Sequence, residues 1–144
     1  MTRRADWLYA AGMAAAVLLP IAAARIHPLP PGRCERDGVA VGDHPAALAL
    51  DGSGATHPFC SIRCAEAWIA RHGERDARVL VRDEVTGAPL ASGAAWFVKS
   101  RVDGTSGEQI RAFARREDAE AHVAAFRGTL LGRGERPFRD AGSP

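Results

Sequence analysis

The 144-residue chain has only three cysteines, two methionines, one tyrosine and one lysine, Lys99. Both methionines, Met1 and Met13, precede any foldable segment, so the rest of the chain offers a metal no thioether ligand. No C-x-x-C pair occurs, which excludes thioredoxin-like thiol exchange. Phosphate loops, G-x-G-x-x-G and G-x-S-x-G are also missing, so nothing marks the chain as a nucleotide-binding protein or a serine hydrolase. Excess charge is absent as well. The formal net charge of +2 belongs to the first 25 residues, where Arg3, Arg4 and Arg25 face only Asp6; the remainder is balanced. A neutral domain has no means of displacing counterions from a phosphate backbone, so nucleic-acid binding is excluded.

Long apolar runs are confined to one place. From Trp7 to Ala24 the sequence is broken only by Gly12 and Pro20, and Arg3 and Arg4 stand before it. That length is near the minimum for a membrane span. Basic residues ahead of the run keep the N-terminus in the cytoplasm and send the downstream residues across. Ala22-Ala23-Ala24 also offers a small-residue cleavage site, so residues 1–25 read as a signal peptide or a membrane anchor. Residues 26–33 hold three prolines and predict a stiff spacer. Residues 132–144 are rich in Gly, Arg, Pro and Asp and predict a flexible tail. One folded domain is left, residues 34–131.

Its pattern repeats. Residues 46–50 and 55–59 read as strands around an Asp51-Gly52-Ser53-Gly54 turn. Ser61 opens a helix to about His72, followed by Gly73, and Arg78–Arg82 is a further strand. The series then recurs: residues 94–98 and 109–113 as strands, a helix over 116–127 followed by Gly128, and a short strand at 129–131. Glu117 and Asp118 suit the start of the second helix, and Gly128 suits the turn after it. The expected fold class is α+β: two consecutive ββαβ units forming one small domain, preceded by an N-terminal signal or anchor helix. Trp68 and Trp96 are expected in the core.

The three cysteines are where chemistry concentrates. Cys60 and Cys64 form C-x-x-x-C where the second strand meets the first helix, and a separation of four puts both thiols on one helical face. Unpaired N–H groups at a helix start favour thiolate, the metal-binding form, at Cys60. Cys34 opens the domain as a third sulfur, and His57, three residues before Cys60, is a candidate fourth ligand. Two or three thiolates suit Cu(I) or Zn(II). Hard ions need clustered carboxylates, and none flanks the cysteines. A disulfide between two of the three cysteines is the competing reading in an oxidising compartment. Asp83 is a candidate acid, with an ordinary solvated strand end as the alternative.

Four stretches together resemble the NosL family, accessory proteins associated with nitrous-oxide reductase and its copper supply. They are Cys34-Glu35-Arg36-Asp37-Gly38; Phe59-Cys60-Ser61-Ile62-Arg63-Cys64 with Trp68; Val79 to Gly87 running into Ala94-Ala95-Trp96-Phe97-Val98; and Gly107 to Phe113 followed by Glu117-Asp118-Ala119. The resemblance implies export or membrane attachment on the periplasmic side, Cu(I) binding, and a copper enzyme or its maturation machinery as partner. Catalytic signatures are missing, so no enzyme activity is expected, and Cys34 matches the family's metal-binding cysteine. Where the family often carries Met-Gly-His-Glu, this chain reads Ser106-Gly107-Glu108-Gln109. Cys60 and Cys64 resemble the cysteine motifs of TRASH-type metal-sensing or trafficking domains, so thiolates from the first repeat are expected to replace the missing thioether. The alternatives are a zinc- or disulfide-closed interaction module and an enzyme resembling organomercurial lyase, with Asp83 carrying the proton.

The leader generates one prediction. A reporter fused after the folded domain is expected to be active outside the cytoplasm; activity confined to the cytoplasm would contradict the orientation set by Arg3 and Arg4.

Overall fold

The structure, a computed structural model, describes residues 32–73, 77–101 and 107–138. The apolar leader and nearly all of the Pro-rich spacer lie outside the described residues. Among the described residues no helix is long and apolar enough to cross a membrane.

Strands β1 (Ala47–Leu50) and β2 (Thr56–Phe59) pair antiparallel. Their connection is fixed by Asp51, whose Oδ1 accepts from the backbone N–H groups of Ser53 at 2.8 Å and Ala55 at 3.0 Å. Helix α1 (Ile62–His72) comes next. Ser61 caps it in extended geometry, its Oγ accepting from the Cys64 backbone N–H at 3.1 Å, an arrangement that contributes about 1 kcal/mol. Gly73 ends it at φ 68°, where a side chain would be strained. Strand β3 (Arg78–Arg82) pairs with the other edge of β1, and β4 (Pro89–Ala91) extends the sheet to the order β2-β1-β3-β4. Strand β4 has no counterpart in the sequence pattern. It is three residues long and opens on a proline, which suits an edge strand but leaves no period to read.

A short 3-10 turn, Ser92–Ala94, leads to the second unit. It contains β5 (Trp96–Ser100), β6 (Gln109–Phe113), α2 (Arg116–Phe126) and β7 (Thr129–Leu130), with strand order β6-β5-β7. Strand β5 starts two residues later than expected because Ala94 closes the 3-10 turn. In both units the first strand is flanked by the second strand and by the strand after the helix. The two ββαβ units are therefore present, with β4 added to the first. The match reaches the turn before each helix: buried Phe59 and Phe113 end β2 and β6, and an 11-residue helix begins three positions later.

Helix α1 packs on β1, β2 and β6, so it touches both sheets. Ala47, Ala49, Phe59, Val79 and Val81 of the first sheet meet Ile62, Cys64 and Ala65 of α1 and Phe97 and Ala112 of the second sheet in one apolar cluster. Val98, Phe113 and Ala119 form a smaller cluster under α2. Phe59, Phe97 and Phe113 are fully buried and each contributes about 1.5–3 kcal/mol by leaving water. Trp68 packs partly buried against the main cluster. Trp96 departs from its expected place: it is 38% exposed, with the Arg116 guanidinium 5.5 Å from its ring centre.

Asp83 is buried, not solvated, at the end of β3. Its Oδ2 accepts from the Thr86 backbone at 3.0 Å and the Thr86 hydroxyl at 2.6 Å, and its Oδ1 from the Ala114 backbone at 2.9 Å. Burial opposes its charge, but these donors outweigh it and hold the carboxyl below its ordinary value. A parallel bridge from Asp83 to Ala112, with the Glu84 N–H donating to the Ala112 carbonyl at 2.9 Å, joins β3 to β6.

Part of the stretch expected to be a flexible tail is folded. Arg136 bonds the Ala95 carbonyl and stacks over Phe97, Pro137 is buried, and Phe138 packs edge-on against Phe97. Proline and charge pointed to disorder, and they outweighed the single Phe that anchors the segment.

The end of α2 also differs from expectation. Arg127, not Gly128, adopts the left-handed cap, at φ 50°. Gly128 is required for a different reason: a Cβ there would meet Val98 Cγ1 at 2.9 Å, Ser100 Cβ at 3.0 Å and the Lys99 carbonyl at 3.1 Å. Gly128→Ala is expected to destabilise the domain by about 1–3 kcal/mol, and Arg127→Gly to stabilise it by up to about 1 kcal/mol. Urea midpoints of the two variants decide it; the opposite order would contradict the assignment.

Candidate metal centre

The loop before β1 brings the distant thiol into place. A bridge between Arg33 and Ala40 closes a tight hairpin, and the Cys34 N–H donates to the Val39 carbonyl at 2.8 Å. Gly38, at φ 73°, turns its N–H back to the Cys34 carbonyl at 2.9 Å. The Glu35 N–H donates to the Pro58 carbonyl at 3.0 Å, which pins this hairpin to the end of β2. Cys34 is thereby buried beside the start of α1, where Cys60 and Cys64 lie.

Four side chains converge there: Cys34, Asp37, Cys60 and Cys64, with all ligand atoms within 4.8 Å of one another. The Cys60 and Cys64 sulfurs are 3.5 Å apart. Both thiols donate to Asp37 Oδ2, from 3.4 Å and 3.2 Å respectively. All three cysteines are free thiols.

Asp37 is the member that sequence reading missed. Its signal was the spacing Cys34-x-x-Asp37-Gly38, a tight turn that puts residues three apart on one side. The carboxyl falls from an ordinary 3.8 to about 2, chiefly through the Cys34 thiol, then the Val39 N–H and, against a burial penalty, the thiols of Cys64 and Cys60. Its folded value is depressed, so its contribution to stability is present above the ordinary value and is lost as pH falls through about 2.

Cys60 reverses an expectation. A helix start favours thiolate, yet its thiol is pushed up, first by burial and then by the neighbouring Cys64 and Cys34. The Cys64 N–H that would favour a thiolate is already taken by Ser61. Without metal, the negative charge rests on Asp37 and the proton stays on Cys60.

His57 is not part of the cluster. Its Nε2 lies 3.0 Å from Asp51 Oδ2, its Nδ1 is 3.7 Å from Glu35 Oε1, and its ring packs on Trp68 at 4.5 Å. The β2 position that brought it near Cys60 in sequence turns it toward the β1–β2 connection instead. Glu108, in the segment where the family often has a histidine, pairs with Lys99 at 3.0 Å and does not join the cluster. Asp83 is likewise outside the cluster, its oxygens occupied by Thr86 and Ala114.

A family model described as NosL matches residues 29–135. The chain belongs to the NosL family. The crystal structure of the copper chaperone NosL from Shewanella denitrificans superposes with a TM-score of 0.59 over 73% of this chain and 90% of that chain, at 22% identity. At that identity the likeness is one of fold. No curated protein matches the chain.

Three sulfurs and one carboxylate form a donor set for a soft or borderline ion. Cys60 must lose its proton to bind one. Loading the apoprotein near pH 7 is therefore expected to release at least one proton per ion, and affinity is expected to rise with pH. A pH indicator in weak buffer reads the release; binding without proton release would contradict a protonated thiol cluster.

Proposed function

We propose that this protein is a Cu(I)-binding accessory protein, held or exported on the periplasmic side, that passes copper to a copper enzyme or its maturation machinery. The observation that carries the reading is the convergence of Cys34, Cys60, Cys64 and Asp37 at one point of a folded domain, within 4.8 Å. Family membership supports it, as does the fold shared with a protein described as a copper chaperone. Three thiolates are soft ligands and favour Cu(I). Asp37 is exposed and Cys60 only half-buried, so an incoming ligand can reach the ion from one side. A carrier needs such an approach, whereas structural zinc sites are closed. Export rests on Arg3, Arg4 and the apolar run after them.

The reading needs no catalytic step. The proton-carrying role that a lyase-like reading gives to Asp83 is not open to it, since its oxygens are committed to Thr86 and Ala114.

A competition titration against a coloured Cu(I) chelator, with reductant present, tests the proposal. The parent is expected to take up about one Cu(I). Cys34→Ser is expected to weaken binding by more than about 100-fold, since losing a direct ligand exceeds the effect of losing an outer partner. Replacing Cys60 and Cys64 together is expected to do at least as much, and His57→Ala little. A triple Cys→Ser variant that competes as well as the parent would defeat the copper reading. Asp37 favours a second reading, because a carboxylate also suits Zn(II). If the parent retains Zn(II) through purification and does not exchange it for Cu(I), the site is structural.

A further inference from the structure

The ligand hairpin carries a cation as well as ligands. Arg36 lies between Cys34 and Asp37, and its Nη1 donates to Cys64 Sγ at 3.7 Å. Cys64 is buried, and its sulfur also contacts Asp37 and Cys60. A guanidinium stays charged at every accessible pH.

Its presence matters for charge balance. Three thiolates and a carboxylate around a monovalent ion leave one more negative charge than the same ligands around a divalent ion. Two of the ligand-bearing residues, Cys34 and Cys64, are buried, so water screens that excess poorly. The exposed Arg36 side chain sets its guanidinium against the Cys64 sulfur, where a cation offsets that excess, and the offset is worth more to Cu(I) than to Zn(II).

We propose that Arg36 is a selectivity-determining counter-ion for the Cys34–Asp37–Cys60–Cys64 centre, favouring monovalent over divalent metal through the Cys64 sulfur. It is a positioning residue, not a ligand. The inference rests on the Cu(I) reading of the same centre and adds to it the means by which the monovalent ion is preferred.

The test uses the full-length protein in detergent, with Arg36→Gln and Arg36→Lys variants. Cu(I) and Zn(II) affinities are measured separately, each by chelator competition, at low and at high salt. Arg36→Gln is expected to weaken Cu(I) binding by about tenfold, in the range of outer-partner changes around metals, and Zn(II) binding by clearly less. Arg36→Lys is expected to restore most of the Cu(I) affinity, since charge and not hydrogen-bond geometry is at issue. The gap between parent and Arg36→Gln should narrow at high salt. The ultraviolet sulfur-to-copper band of Cu(I)-loaded Arg36→Gln should match that of the parent, because the ligands are unchanged. Equal losses for both metals, or no loss in Arg36→Gln, would overturn the counter-ion role while leaving the copper site intact. Failure of the parent itself to bind Cu(I) would instead overturn the underlying reading.

Discussion

One buried carboxylate joins the two halves of this domain beside the apolar cluster that they share. Asp83 ends β3, and its oxygens collect donors from the Thr86 turn and from the Ala114 backbone just before α2. A buried charge is tolerated only where hydrogen bonds satisfy it, and each lost donor would cost about 1–3 kcal/mol. The Asp83–Ala112 bridge continues that joint into β6. Helix α1 packs on β6 as well as on β1 and β2, so its placement depends on the joint. The Cys60 and Cys64 thiols sit at the start of that helix.

The Cys34–Asp37–Cys60–Cys64 cluster is a meeting of two local solutions. Ser61 and the strand-to-helix turn place Cys60 and Cys64; the Arg33–Ala40 hairpin places Cys34 and Asp37. A single backbone bond from Glu35 to Pro58 registers one against the other. Without metal the cluster is electrically conservative: thiols donate protons toward one ionised carboxylate, so no two negative charges need lie side by side.

Much of this was legible in the chain. The strand at residues 78–82 and the Ser61 and Gly73 helix ends come from local rules, and local rules survive folding. Strand β4 was not legible because three residues beginning with proline carry no period. Gly128 was legible as a glycine that matters but not for the right cause, since close approach to β5 is a tertiary fact. The site divided the same way. Cys60 and Cys64 meet through local structure, although Cys60 precedes the Ser61 cap and lies off the helix it was expected to share with Cys64, whereas the exclusion of His57 depends on which way a β2 residue faces. Asp37 was masked by its type: an exposed acid beside a glycine reads as a turn until the sulfurs are seen around it.

Cys34 and Cys64 also belong to the apolar core cluster, packed among Ala47, Phe59 and Phe97. A protonated cysteine behaves there as a small hydrophobe. Many small metal-binding domains unravel once the ion departs, because the ion is their core. Here the hydrophobic interior is built by phenylalanines and valines from both sheets, with Cys34 buried among them as one more small side chain. Folding therefore does not wait on a metal: an empty cluster leaves the phenylalanine and valine interior in place.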